Sequence, residues 1–285
     1  MTVAHLRRAS ASLPVRLLVT AALLALAVSQ LDLVGVATRL RTIAPAPACM
    51  GFCALLAGQA ISGLRWREIA AACGLHSSRS WFASAYLRGC FYSVLLPTGI
   101  GGDATRVLLA RRLGSTGAAT WSVMADRLTG LAALALTAMA LAPFAGYGLA
   151  PALAVALGAA GLVLGGVAAL LAHRRRLGRW LAWTLLYEAI WFAGVWLLAE
   201  AIDVGLPAFA LPAIILIVGV AMALPISIGG TGAREAGFVL ALAPLGIAAA
   251  PAVALGVTFG AALALIGLCG ALIPLDRTTT VQARQ

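Results

Sequence analysis

Two stretches of the chain carry one pattern: Leu96-Pro97-Thr98-Gly99-Ile100-Gly101-Gly102-Asp103-Ala104-Thr105-Arg106 and Leu224-Pro225-Ile226-Ser227-Ile228-Gly229-Gly230-Thr231-Gly232-Ala233-Arg234. Both read L-P-x-x-I-G-G-x-x-x-R, 128 residues apart (position 224 against 96). Proline removes a backbone donor and interrupts a helix, and glycine admits backbone geometries closed to other residues. The two copies sit inside long apolar regions, about 81–113 and 206–245. Each region therefore reads as a helix broken near its middle, with Pro97 and Pro225 as the hinges.

The surroundings decide what kind of protein contains such breaks. Of 285 residues 62% are hydrophobic and 10% charged, with a mean hydropathy of +1.02. Soluble domains carry about 25% charged residues, and chains stay disordered through low hydrophobicity, so both classes are excluded. An all-α polytopic integral membrane protein remains. About 20 apolar residues cross a bilayer. Six stretches qualify: 17–36, 45–64, 118–142, 151–172, 181–201 and 249–273. The first follows Arg7, Arg8 and Arg16 as a signal peptide would, but it runs on past Ala27 and is too long for one.

Function classes fall away in turn. The 20 basic residues are all arginine, which excludes a P-loop lysine and Schiff-base chemistry. His5, His76 and His173 are scattered, and Cys49, Cys53, Cys73, Cys90 and Cys269 include no CxxC, so neither a metal set nor a cofactor is expected. The net charge of +11 is read as membrane topology and not as nucleic-acid binding.

Counting each broken region as one crossing puts His173-Arg174-Arg175-Arg176 outside, against the positive-inside rule. Counting each as a re-entrant hairpin repairs this. Arg65, Arg67, Arg79, Arg106, Arg111 and Arg112 then share the cytoplasm with both termini, while Arg39 and Arg41 remain on the wrong side. Adding 128 to the first three spans lands near the last three. The whole of 1–285 is thus one domain of two repeats, about 15–142 and about 150–274, each of three spans and one hairpin. Three crossings per repeat make the repeats inverted, as in many secondary transporters with broken helices at a midplane site.

Candidate binding residues follow from the motif. Freed amides at Gly101, Gly102, Gly229 and Gly230, ahead of a new helix, suit an anion. Arg106 and Arg234 lie one turn on, beside Asp103 and Glu235 respectively. Charges inside a membrane cost about 2.5–3.5 kcal/mol each, which makes them functional candidates, although charge pairs that tie hairpins to the bundle have the same appearance. Asp126-Arg127 is a further pair, with no counterpart in the second half, and Glu188 is a lone intramembrane acid. Gly161-x-x-x-Gly165 and Gly256-x-x-x-Gly260 read as helix-packing faces. Trp180, Trp183 and Trp191 read as interface anchors.

LRGCFYSVLLPTGIGGDATR, SVMADRLTGL and LPISIGGTGAREAGF followed by PLGI closely resemble the lysylphosphatidylglycerol synthase transmembrane family over nearly the whole chain. The resemblance implies a flippase-like domain that moves polar or isoprenoid lipids between leaflets of the bacterial inner membrane. It also implies functional positions at Pro97, Gly101, Gly102, Asp103, Arg106, Asp126, Arg127, Pro225, Gly229, Gly230, Gly232, Arg234 and Glu235. The soluble synthase domain of that family is not part of this sequence, so lipid aminoacylation is not expected. Two rivals stand beside the translocase: a lipid-holding accessory subunit of a glycosyltransferase or lipid synthase, and a small-solute permease. A membrane enzyme ranks last, since no paired nucleophile and base is found.

Overall fold

The computed structural model describes residues 33–95, 101–145, 174–223 and 230–273. Among these residues nine α-helices follow in order: α1 Leu33–Arg41, α2 Pro45–Ala72, α3 Arg79–Leu95, α4 Gly101–Ala110, α5 Thr116–Leu141, α6 Arg174–Ala201, α7 Leu211–Ala223, α8 Ala233–Leu242 and α9 Ala249–Leu272. No strand occurs among them.

Four helices are long and apolar enough to span a bilayer: Pro45–Ala72, Thr116–Leu141, Gly178–Ala201 and Ala249–Leu272. They correspond to four of the six expected spans. The span expected at 151–172 and nearly all of that at 17–36 lie outside the described residues. So do Pro97, Pro225, Gly229, His173 and the Gly161–Gly165 face.

Local sequence explains the ends of α2. Pro45 opens it, where a missing N–H costs nothing. Gly74, at φ 80°, closes it, and the Leu75 amide folds back to the Ala70 carbonyl at 2.9 Å. The helix is about two turns longer than its expected apolar span, a difference that matters for Arg65 below.

Glycines set how closely the helices pack. Gly51 faces the Gly194 carbonyl and Leu198, and Gly58 faces Trp191. Rising numbers on α2 thus meet falling numbers on α6, so the two run antiparallel. The Ala44 amide bonds the Ala201 carbonyl at one end, and Arg179 pairs with Glu68 at the other. Gly102 of α4 lies against Ser93 and the Gly89 carbonyl of α3, while Gly237 of α8 lies against Val218 and Ala221 of α7. The two arms of each broken region are therefore packed side by side. Ala110 at the end of α4, Leu75 before α3 and Ala119 near the start of α5 share one core with Trp66, Trp81 and Phe82. The chain leaves α4 at the end where it entered α3.

Helix α9 packs on both broken regions. Gly256 and Gly260 meet α8, and Gly267 and Gly270 meet α3. Arg88 of α3 donates to the Ile273 carbonyl at 2.6 Å. Reciprocally, α5 packs against both α4 and α7. Helix lengths also recur: 28, 17, 10 and 26 residues for α2–α5, against 28, 13, 10 and 24 for α6–α9.

One sequence expectation is corrected, and one unexplained charge finds its partners. Trp191 is no interface anchor: it is 8% exposed and packs on Gly58, Tyr187 and Phe259, because the antiparallel α2–α6 contact buries that face. Arg39, expected on the wrong side, donates to the carbonyls of Ile202 and Asp203 at 2.9 and 2.8 Å. It neutralises the carbonyl end of α6, a place that favours a cation on either side of a membrane.

Candidate functional site: a buried ion network

Helix α4 begins at Gly101, with Asp103 in its first turn, where the helix dipole favours an acid. Thr105 Oγ1 donates to the Gly101 carbonyl at 2.9 Å. One turn on, Arg106 extends past the bare face of Gly89 on α3. Its guanidinium donates to Asp103 Oδ1 at 3.2 Å and to Asp126 Oδ2 on α5 at 2.6 Å. It also lies 4.4 Å from the ring centroids of both Trp66 and Tyr86. Two acids and two aromatic faces thus surround one cation, and each is worth more where water is excluded.

Arg65 of α2 completes the other side of Asp126. Its Nε donates to Oδ1 at 3.0 Å, and its Nη2 lies 3.0 Å from the same oxygen. Gly130 makes room for it, since a Cβ there would come within 2.8 Å of Nη1. Asp126 is fully buried, Arg106 is 2% exposed and Arg65 5%. Asp126 thus lies between two guanidiniums, and removal of any one partner would leave a buried charge uncompensated.

The network then opens outward. Arg127 Nε donates to Asp103 Oδ2 at 2.8 Å and to Oδ1 at 3.1 Å. Its side chain is 57% exposed. Arg127 belongs to an exposed stripe of α5 with Trp121, Met124 and Leu131, at helical spacing. Its neighbour Asp126 points inward along with Ser122 and Thr129. Three arginines and two aspartates leave the network one positive charge in excess.

The second copy of the motif is built differently. Gly230 and Gly232 take φ values of 77° and 83°, open to glycine at little cost. The Gly232 amide donates to Glu235 Oε2 at 2.6 Å, capping α8. Arg234 donates through Nε to Glu235 Oε1 at 3.0 Å and through Nη2 to the same oxygen. Both side chains are buried, Glu235 against Gly256 and the Arg234 guanidinium against Gly260. Those glycines, expected as a helix-packing face, make the notch that admits this ion pair. Among the described residues the pair makes no bond to the Arg106 network.

The structure therefore joins Asp103, Arg106, Asp126 and Arg127 and keeps Arg234 with Glu235 apart. Gly101 and Gly102 are both buried, Gly102 against Ser93 and Gly89 of α3. Sequence reasoning missed Arg65, Trp66, Tyr86 and Tyr187, the last lying 5.3 Å beneath the Arg65 guanidinium. Arg65, expected only as a charge beyond the end of its span, is instead buried within α2, and Arg106, expected as a binding residue, is buried with it. The overlooked signal was the α2 register, which continues through Arg65 to the stop at Gly74. Glu188 of α6 is 4% exposed and lies 2.7 Å from Thr137 Oγ1. Among the described residues no group of three or more His, Cys, Asp or Glu could hold a metal.

Long apolar helices, close glycine contacts and a buried ion network define a multi-pass helical membrane protein. The chain matches the family model described as the lysylphosphatidylglycerol synthase TM region over residues 14–176 and 169–270, and it belongs to that family. No match was found among curated proteins or among solved structures.

Proposed function

We propose that the chain is a flippase-like translocase, moving a polar or isoprenoid lipid between leaflets of the bacterial inner membrane. The observation that carries this reading is Arg127: a cation on an otherwise apolar exposed stripe, backed by a network with one positive charge in excess. A lipid phosphate arriving from the side would pair with Arg127 in exchange for Asp103. Arg106 and Arg65 would supply the field behind it, and the acyl chains would stay in the bilayer. Arg106 is thus a supporting cation and not the first contact, since Asp103 and Asp126 already occupy it.

Three features support inverted repeats as the machinery. Helix lengths recur across the two halves, the corresponding helices α2 and α6 run antiparallel, and each half's last helix packs on the broken region of the other. The return of α4 to the end where α3 began supports a re-entrant hairpin. Rocking of one repeat against the other would alternate access to the site.

The test is exchange of fluorescent phosphatidylglycerol in vesicles reconstituted with the full chain. Exchange above the empty-vesicle rate, cut about tenfold in Arg127→Gln, is expected for a lost charge-assisted bond of about 1.5–3 kcal/mol. Exchange no faster than in empty vesicles would turn the reading to a lipid-holding subunit of a glycosyltransferase or lipid synthase. Uptake of a small solute, blocked by the same substitution, would turn it to a permease.

A further inference from the structure

Thr137 Oγ1 lies 3.0 Å from the Ala133 carbonyl and 2.7 Å from Glu188 Oε2. A hydroxyl has one proton to give and two lone pairs with which to accept. The Ala133 carbonyl can only accept. If Glu188 were a carboxylate it too could only accept, and one of the two short contacts would hold no proton. Both are satisfied when Thr137 donates to Ala133 and Glu188 carries a proton that it donates to Thr137.

We propose that Glu188 is a proton-binding site, occupied at neutral pH, at the crossing of α5 and α6. Its surroundings fit a neutral acid. It is 4% exposed in a membrane-spanning helix, where an unpaired charge is expensive. Among the described residues, α7 has no ionisable side chain and α9 has Cys269 alone. On α6 itself, Tyr187 is its neighbour. On α5, Asp126 and Arg127 lie about three turns before Thr137. On α2, Glu68 is paired with Arg67 and Arg179 toward the far end. Arg39 caps the opposite end of α6. Among the described residues Glu188 makes no ion pair; Arg65, whose guanidinium lies 5.3 Å from the ring of neighbouring Tyr187, is already bonded to Asp126.

Arg65 also makes the proton consequential. Loss of the proton would create a carboxylate next in sequence to Tyr187, whose ring lies 5.3 Å from the Arg65 guanidinium, and would cancel the single positive excess of the network. An anion at Arg127 would cancel the same excess. Proton release and anion binding therefore oppose each other, and an anionic headgroup would travel with a proton on Glu188. This coupling rests on the translocase reading, whereas the proton site does not.

Infrared spectra of the full chain in zwitterionic nanodiscs at pH 7 test the site without any transport. The expected result is a protonated-carboxyl carbonyl band that disappears in Glu188→Gln and moves to higher frequency in Thr137→Val, which loses the hydrogen-bond acceptor. Glu188→Gln keeps a donor toward Thr137, and Thr137→Val is close to isosteric, so neither depends on the other folding. A wild-type spectrum lacking any band that these substitutions remove or shift would overturn the proposal. For the coupling, exchange of phosphatidylglycerol should vary with pH in the wild type and be flat in Glu188→Gln. A pH profile unchanged in Glu188→Gln would overturn the coupling and leave the translocase standing.

Discussion

Arg106 and Arg234 hold the same place in two copies of one motif, yet their surroundings differ. Arg106 reaches out of its own helix to Asp126 and stacks on Trp66 and Tyr86. Arg234 folds back on Glu235 and fills the notch at Gly260. The cause is in the neighbours. At the 128-residue offset, Asp126 and Arg65 correspond to Ala254 and Ala193, and Glu235 corresponds to Val107. The first half therefore has a cross-helix acid and the second a local one. A repeated motif fixes where a helix breaks; which helices its charge ties together is decided elsewhere. The first copy joins α2, α4 and α5 into one electrostatic unit, and the second anchors α8 on α9.

The largest effect that would break this comparison is expected from Asp126→Ala. It leaves Arg65 and Arg106 buried without their shared partner, at a cost of about 3–5 kcal/mol. Glu235→Ala removes one helix cap and one partner, and about 1–3 kcal/mol is expected for it. Equilibrium unfolding in micelles ranks the two, and equal losses would mean that the network is no more than another local pair.

Next in size is Gly260→Ala. The added methyl meets the Arg234 guanidinium, and overpacking of this kind costs about 1–3 kcal/mol. Gly219→Ala on α7 has open space around it, so helix propensity alone predicts a gain of up to about 1 kcal/mol. A harmless Gly260→Ala would show that Arg234 is free to leave its notch, which would sharpen its case as a ligand.

The smallest effect on stability is expected from Arg127→Gln, because exposed ion pairs contribute about 0.2–1 kcal/mol. The exchange assay should rank it the other way, with a loss larger than that of Glu235→Gln. A Glu235→Gln variant that exchanged lipid more slowly than Arg127→Gln would move the binding site to the second half.

Much of this was legible in the chain. Hydropathy located the four long helices that the structure describes to within a few residues at most of their ends. The motif located both breaks and supplied two members of the network, Asp103 and Arg106; the adjacent pair Asp126 and Arg127 supplied two more. Arg65 escaped because hydropathy ends a span at the first charge, and its acid lies 61 residues away on another helix. Trp191 was misread for a similar reason: a tryptophan near a span's end looks alike whether lipid or Gly58 covers it. The apparent helix-packing face of Gly256 and Gly260 could not be told from a notch for side chains, since both need only an absent Cβ.

What the sequence by itself determined is what composition and backbone chemistry dictate over short range: a membrane chain, its long helices, its proline–glycine breaks and its family. What only the tertiary structure decided is pairing over long range. It set which acid neutralises which arginine, which cation stays open, and which hydroxyl faces Glu188. Desolvation makes every buried charge and hydrogen seek a partner, but the partner is whatever the packed helices bring within reach. That geometry separates Arg127 at the surface from Asp126 in the core, though the two are adjacent in the chain.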